Sequence, residues 1–281
     1  MKLWKPNLKA WHGMCNTRSV TIYKRILRAS AIITLSGAVA GGVSAGTIDL
    51  SNFVHGEILN TQIPGVTITA ENIGGGPDIA AIFDTRLSGT RDPDLEGPAG
   101  TPWTGGNLGN ANPNLVIGNA IILAENGQGK ADGILNFPDD EGSRAAGTLA
   151  FAFANNISSI GFDLIDIETV SASHPYAGIT FDDGAGGTVN IAFNGLLTRT
   201  HPIFGAPSWD GDNSINRILP YTAADVGLSH FRTVSFHLGG SAAITNISVS
   251  VPDATTSLWL VLAGLSPLGW IAARFRPSSR S

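Results

Sequence analysis

Carboxylates dominate the chemistry available to this chain. Four acidic groups stand beside turn-forming residues: Phe83-Asp84-Thr85, Asp92-Pro93-Asp94-Leu95-Glu96-Gly97, Pro138-Asp139-Asp140-Glu141-Gly142, and Asp163 with Asp166 and Glu168. Oxygen donors at this density suit a hard divalent cation, and calcium takes about six to eight of them. Asp92, Asp94, Glu96 and Gly97 fall at positions 1, 3, 5 and 6 of an EF-hand loop, but position 12, where that loop needs a bidentate glutamate, is Trp103. An EF-hand is therefore excluded. A calcium ion whose shell is completed by distant segments is the expectation, with Asp84, Asp92, Asp94, Asp139, Asp140, Asp166 and Glu168 as its candidate ligands.

A pleat argument adds weight to the last group. In Ile160-Gly161-Phe162-Asp163-Leu164-Ile165-Asp166-Ile167-Glu168, a period of two puts Ile160, Phe162, Leu164, Asp166 and Glu168 on one face. If the apolar members face the core, two carboxylates sit at its rim. Two like charges about 4 Å apart repel by about 4 kcal/mol at an effective dielectric of about 20. A cation, a bulge that turns the residues outward, or raised pKa values would each relieve that repulsion. The same pair could instead serve as acid and base of a polysaccharide-active hydrolase if a cleft separated them by about 5–9 Å, although neighbours on one strand face reach about 7 Å by geometry alone. Histidines 55, 174, 201, 230 and 237 show no tight metal spacing, and no Ser-His-Asp set can be nominated. Asp210-Gly211-Asp212-Asn213-Ser214 reads first as a turn, since Asp, Asn and Gly bond their own backbone there.

The elements that must position these groups are strands. Gly (35) and Pro (15) punctuate short β-branched and aromatic runs, and helical periodicity is nearly absent. Strands are expected near Thr47 to Phe53, Val66 to Ala70, Ile79 to Asp84, Leu115 to Ala124, Gly147 to Ala154, Ser159 to Glu168, Gly178 to Phe181, Thr188 to Phe193, Arg232 to Leu238 and Ile244 to Val251. The clearest alternates Leu149, Phe151 and Phe153 with small residues; Val234, Phe236 and Leu238 repeat the pattern and leave His237 on the outside. The fold class expected is all-β, a two-sheet sandwich of jelly-roll type. The stretch from Gly89 to Asn114 is a long loop of a length that compact domains reserve for function or disorder. Within it Trp103 could stack on a sugar or cover a sheet edge, and Trp209 is a second candidate for ligand stacking.

Both ends read as addresses. Lys24, Arg25 and Arg28 precede an apolar run, and Val43-Ser44-Ala45 offers the small-x-small pattern of a signal peptidase site, so residues 1–45 are read as a signal peptide cut after Ala45. The G-x-S-x-G at Gly42 to Gly46 would be split by that cut and is not a nucleophile elbow. At the other end Val251-Pro252-Asp253-Ala254 leads into Ser257 to Ala273, 17 residues without a charge, followed by Arg274, Phe275 and Arg276. A hydrophobic transmembrane helix is expected over 256–273, with the arginines holding its end in the cytoplasm. The body between the addresses, 46–250, keeps no cysteine, since Cys15 lies in the leader. From 46 to 252 there are 7 Lys and Arg against 21 Asp and Glu, a net charge of −14. Nucleic acid is excluded as an expected partner on that ground, because phosphate binding needs a basic footprint.

The tail, a short Pro-acidic signature, a marginal span and a basic end over 251–281, resembles the PEP-CTERM sorting signal of Gram-negative surface proteins; the family's usual Pro-Glu-Pro stands here as Pro252-Asp253-Ala254. Phe83-Asp84-Thr85, Asp92-Pro93-Asp94-Leu95, Asn114-Leu115-Val116-Ile117, Pro138-Asp139-Asp140-Glu141-Gly142, Asp166-Ile167-Glu168, Gly211-Asp212-Asn213-Ser214 and Gly239-Gly240-Ser241-Ala242-Ala243-Ile244 resemble, in order, a β-rich extracellular domain common in such proteins. The resemblance implies export across the inner membrane, processing by signal peptidase and an exosortase, and a membrane-anchored or released surface protein with no established reaction. The leading expectation is a non-catalytic binding or structural module, calcium-stabilised and associated with exopolysaccharide or biofilm matrix. The hydrolase above and a protein-binding adhesin stand beside it.

Overall fold

The computed structural model describes residues 46–168, 177–209 and 211–251. The leader with Ala45, the sorting residues Pro252, Asp253, Arg274 and Arg276, and the span expected over 256–273 lie outside them. Among the described residues, no helix is long and apolar enough to cross a membrane.

The strands in chain order are β1 (Gly46–Thr47), β2 (Ile58–Leu59), β3 (Val66–Asn72), β4 (Ala80–Asp84), β5 (Asn119–Leu123), β6 (Gly147–Ile157), β7 (Ser159–Ile165), β8 (Gly178–Asp182), β9 (Thr188–Ala192), β10 (Ile215–Thr222), β11 (Phe231–Leu238) and β12 (Ala243–Ser250). Seven of them form one antiparallel sheet in the order β10-β7-β12-β5-β4-β2, with β1 also paired to β12. The other five form a second, β3-β6-β11-β8-β9. The one α-helix among the described residues is a five-residue turn, α1 (Asn107–Ala111).

Alternation decides which faces meet. Leu149, Phe151 and Phe153 of β6 and Val234, Phe236 and Leu238 of β11 turn inward with Ile160, Phe162 and Leu164 of β7. Phe236 meets Phe151 and Phe162 edge-to-face at centroid distances of 5.6 and 5.0 Å, a geometry that adds to simple burial. Strands β4 and β5 read as unbroken apolar runs, because the seven-stranded sheet is buried on both sides. Ile82 and Ile121 face the inter-sheet core, while Phe83 and Ile122 face a second core on the outside, closed by Leu95, Trp103 and Leu108 from the loop that follows β4. The long loop expected after Gly89 is thus a flap over one sheet face.

Several expected boundaries shift. The first strand shortens to two residues, and Ile58–Leu59 adds a short edge strand. Strand β10 carries no expectation from sequence, because Pro220 interrupts its apolar run; the strand lies at the sheet edge and slips register between Ile218 and Tyr221, which accommodates a residue without a donor. Strand β7 ends at Ile165 rather than Glu168. There Asp166 adopts a left-handed φ of 52°, a conformation that aspartate tolerates better than most residues. The turn shifts the alternation by one: Leu164 and Ile167 both enter the inter-sheet core, so Asp166 leaves the face that strict pleating assigns it.

Truncating Phe236 to alanine opens a cavity in this core and should lower the unfolding free energy by about 3–5 kcal/mol in chemical denaturation. Ile203→Ala, on a side chain 78% exposed, should stay within about 0.5 kcal/mol of the parent. Equal effects would mean that the inter-sheet core is misassigned.

Candidate metal centre

One end of the seven-stranded sheet gathers the acids. Ala243 at the start of β12 pairs with Ile165 at the end of β7 and with Ile122 near the end of β5, so three strand ends lie side by side. Each then delivers an oxygen-bearing segment. Past β5, an Ala124–Asp140 bridge and the bond from Glu141 N to the Leu123 carbonyl hold the 138–142 turn against the sheet. Past β7, the left-handed turn directs Asp166 away from the inter-sheet core toward this corner, its N–H fixed by the Ser214 carbonyl. Before β12 comes the Gly239-Gly240-Ser241-Ala242 turn. The flap contributes Asp92, which caps a short 3-10 turn (Pro93–Leu95) by accepting from Leu95 N at 3.2 Å. Asn213, at a left-handed φ of 54°, donates from Nδ2 to the Asp94 and Glu96 carbonyls and clamps that turn in place.

Carboxylate oxygens of Asp92, Asp139 and Asp140 converge to within 4.8 Å of one another. Asp166, 1% exposed, joins them through Ser241, whose Oγ lies 2.6 Å from both Asp166 Oδ2 and Asp140 Oδ2. A hydroxyl has one hydrogen and cannot donate to both acids, so the second contact requires a proton on one carboxyl. Ala242 N supplies Asp140 with a further bond at 2.6 Å. Two oxygens of these acids are buried without a hydrogen-bond partner, Asp92 Oδ2 and Asp166 Oδ1, and Glu168 Oε2 is in the same state. Among the described residues, the ion pairs are Arg86–Asp84, Arg144–Glu168, Arg199–Asp225 and Arg217–Asp163, so no arginine pairs with Asp92, Asp139, Asp140 or Asp166.

Uncompensated burial governs their protonation. Desolvation lifts Asp92 to about 6, against the bonds from Leu95 and Asp140. It lifts Asp139 to about 7, helped by the charge of Asp92 and by Glu125 and opposed by Arg91. Asp166 rises to about 7 by burial, against the bond from Ser241 and helped by Asp92, Asp94 and Asp212. Asp140 is pushed well above the ordinary range by burial and then by Asp92. Either protons or a cation must occupy this corner at neutral pH.

The other candidate ligands are placed differently. Asp84 sits opposite Asn119 at the far end of β4 and β5, about 13 Å of strand away from the Ala80–Leu123 pair, and is engaged by Arg86 at 2.7 Å. It does not join the cluster. Asp94 lies at the margin, where burial and then Asp212 and Glu168 raise its pKa. Glu168 is held by Arg144. Glu96 turns back on the flap and accepts from Thr90 N and Oγ1, so the EF-hand-like spacing scatters its side chains instead of ringing an ion. Trp103 is 2% exposed and donates from Nε1 to the Leu115 carbonyl at 2.7 Å; it is a flap anchor and not a sugar platform. Trp209 is half-buried against Phe193, with its Nε1 enclosed. Ser241, Ala242 and Asn213 went unmarked as site residues, because a serine in a glycine turn and an asparagine beside Asp212 carry only turn chemistry in sequence. No protein-family model matches this chain, and no curated protein matches it significantly.

The raised values fix the sign of a pH effect in chelator-treated protein. These acids ionise near 3.8 when unfolded and near 6–7 when folded, so their contribution to stability is complete below about pH 3.8 and is lost as pH rises through 6–7. The thermal midpoint should therefore fall between pH 5 and pH 7.5 in EDTA. A midpoint that is flat or rising over this interval contradicts the buried, unpaired state of the cluster.

Proposed function

We propose that this chain is an exported, non-catalytic surface module whose flap and sheet are fastened together by a bound calcium ion. The observation that carries the reading is the convergence of Asp92, Asp139 and Asp140 within 4.8 Å, together with the buried, unpartnered oxygens Asp92 Oδ2 and Asp166 Oδ1. The donor set is all oxygen and all anionic, which suits a hard cation and disfavours zinc. Asp92, Asp139 and Asp140 would hold the ion, with Asp166 as a further ligand in place of its bond to Ser241. Bound there, calcium would neutralise charge that the protein itself leaves unanswered.

The PEP-CTERM-like ends supply the rest of the proposal: export, anchoring or release at the surface of a Gram-negative cell, and association with exopolysaccharide matrix. Within the sandwich, the chain passes repeatedly between the two sheets, from β2 to β3 to β4 and from β5 to β6 to β7, which favours the jelly-roll description. A hydrolase using Asp166 and Glu168 finds less support. Asp166 is almost wholly buried and Glu168 is tied to Arg144, so neither is presented to a polymer.

Full-length protein in detergent should melt about 5–10 °C higher in saturating calcium than in EDTA, since occupancy near a hundredfold above Kd is worth about 2.7 kcal/mol and each kcal/mol moves a domain of this size by about 2–4 °C. Asp140→Asn should remove most of the shift while leaving circular dichroism unchanged. Identical midpoints with and without calcium would sink the metal reading. Mass spectrometry of the protein isolated from its native host should give Gly46 as the first residue; an intact leader would end the export reading.

A further inference from the structure

A second polar assembly lies on the same outer sheet face, away from the acid cluster, where Arg217 is held by Asp163 and Asn107 with 33% of its side chain left exposed. Its guanidinium forks Asp163, with Nε to Oδ1 at 2.7 Å and Nη2 to Oδ2 at 2.6 Å. Its backbone N–H and carbonyl are both taken by the side chain of Asn107 in α1, at 2.7 and 3.0 Å. Its Cζ lies 5.4 Å from the ring of Phe204. Asn246 adopts a left-handed φ of 48° and donates from Nδ2 to Asp163 Oδ2 at 2.6 Å, so Asp163, 1% exposed, has three donors and is buried away from a ligand. The fold has little need of this pair, because apolar residues of similar volume commonly serve a covered position as well or better. What the arrangement does achieve is a guanidinium whose rotamer entropy is already spent, with Nη1 left over from the fork.

Around it the cleft is rich in polar groups. It is lined by Thr47, Gly161, Asp163, His201, Arg217, Pro220, Asn246 and Ser248, where β10 and β12 both slip register beside β7. Such bulges re-aim side chains and cluster beside binding sites. His201 closes a tight loop by exchanging backbone bonds with Gly205, and its ring stacks on Phe204 at 4.5 Å. Its Nδ1 accepts from Ile203 N at 3.2 Å, which assigns the ring hydrogen to Nε2 and makes that atom a donor. Arg217 Nη1 and His201 Nε2 are the donors left open to a ligand, while Ser248 Oγ, which donates to the Gly161 carbonyl, and Asn246, which donates to Asp163, still offer acceptor oxygens beside the Thr47 hydroxyl. A carboxylate meets the guanidinium, and ring hydroxyls meet the serine, threonine and amide.

We propose that this cleft binds a carboxylate-bearing saccharide unit, a uronate residue of an acidic glycan, with Arg217 and His201 on the carboxylate. The inference rests on the reading of a matrix-associated surface module for the source of such a ligand, but not on the calcium ion. The net charge of −14 on the body does not oppose it at physiological salt, where repulsion is screened beyond about 8 Å.

The test is a calorimetric titration of the full-length protein in detergent with trigalacturonate, with maltotriose and acetate as controls, repeated in calcium and in EDTA. Saturable binding of trigalacturonate alone is expected. His201→Ala should weaken it about tenfold, the worth of one charge-assisted hydrogen bond, and Arg217→Lys, which keeps the charge and loses the fork, should weaken it at least as much. Arg217→Ala would strand Asp163 and could fail to fold, so the lysine variant carries the argument. Asp140→Asn should leave the affinity unchanged, which separates this cleft from any uronate bridged through calcium at the acid cluster. Equal binding of maltotriose or of acetate, affinities indifferent to both cleft variants, or no saturable binding in the millimolar range would each overturn the proposal. None of these outcomes bears on the calcium-dependent melting.

Discussion

Desolvated negative charge at the end of the seven-stranded sheet is the constraint on which the rest of this structure turns. Asp92, Asp139, Asp140 and Asp166 come from segments far apart in sequence, and the elements that bring them together are the same ones that close the second core. Two terms of similar size oppose each other there. Burying Leu95, Trp103 and Leu108 draws the flap onto the sheet at about 1.5–3 kcal/mol per large side chain. A pair of ionised carboxylates about 4 Å apart pushes back by about 4 kcal/mol at an effective dielectric of about 20. The repulsion offsets a large part of that burial, so neutralising the acids strengthens the hold on the flap. The clamp from Asn213 to the Asp94 and Glu96 carbonyls passes the same tension to the turn before β10.

Left-handed residues other than glycine recur where this tension is resolved. Asp166 turns a core-directed strand into an outward ligand, Asn213 pins the flap, and Asn246 reaches Asp163 across a bulge in β12. These three of the four left-handed non-glycine residues among those described, Trp209 being the other, are Asp or Asn, the types that occupy this region at least cost. Backbone strain of this kind persists only where surrounding contacts over-determine it. All three lie on the outer face or at the rim of the seven-stranded sheet, whereas the five-stranded sheet keeps a plain alternation, with Thr148, Ala150 and Ala152 of β6 and Thr233, Ser235 and His237 of β11 on its outer side.

How much of this could be read from the chain depends on the range of the interaction. Period-two alternation is local, so Leu149, Phe151, Phe153, Val234, Phe236 and Leu238 declared the inter-sheet core at once, and the all-β class followed. The two-sided burial of β4 and β5 was present as unbroken apolar runs, Ala80–Asp84 and Asn119–Leu123, but nothing local said what would cover the second face. Strand β10 was hidden by Pro220, whose cost vanishes only at an edge with a bulge. At the candidate site, Asp92, Asp139, Asp140 and Asp166 were visible as carboxylates beside turns, yet the pleat argument for Asp166 assumed a strand that the chain leaves one residue earlier. Asp84 looked equivalent because an acid at a strand end gives no sign of which end of the sheet it occupies; antiparallel pairing with Asn119 sends it the wrong way. Trp103 had two readings, and its bond to the Leu115 carbonyl decides for the buried one.

The same sheet face contains an internal control for the cation argument. Asp163 is as deeply buried as Asp166, and both sit on β7 or its exit. Around Asp163 the chain supplies partners for both oxygens: two nitrogens of Arg217 and the amide of Asn246. Three residues further on, it supplies Asp166 with one shared serine hydroxyl and leaves Oδ1 with nothing, although three further carboxylates stand near. Scarcity of arginine alone does not explain the difference, since Arg144 lies close enough to pair with Glu168 and Arg91 close enough to act on Asp139. Among the described residues, the fold thus gives one buried acid an ion-paired arginine and gives Asp92, Asp139, Asp140 and Asp166 none, and that asymmetry is what the proposed cation rests on.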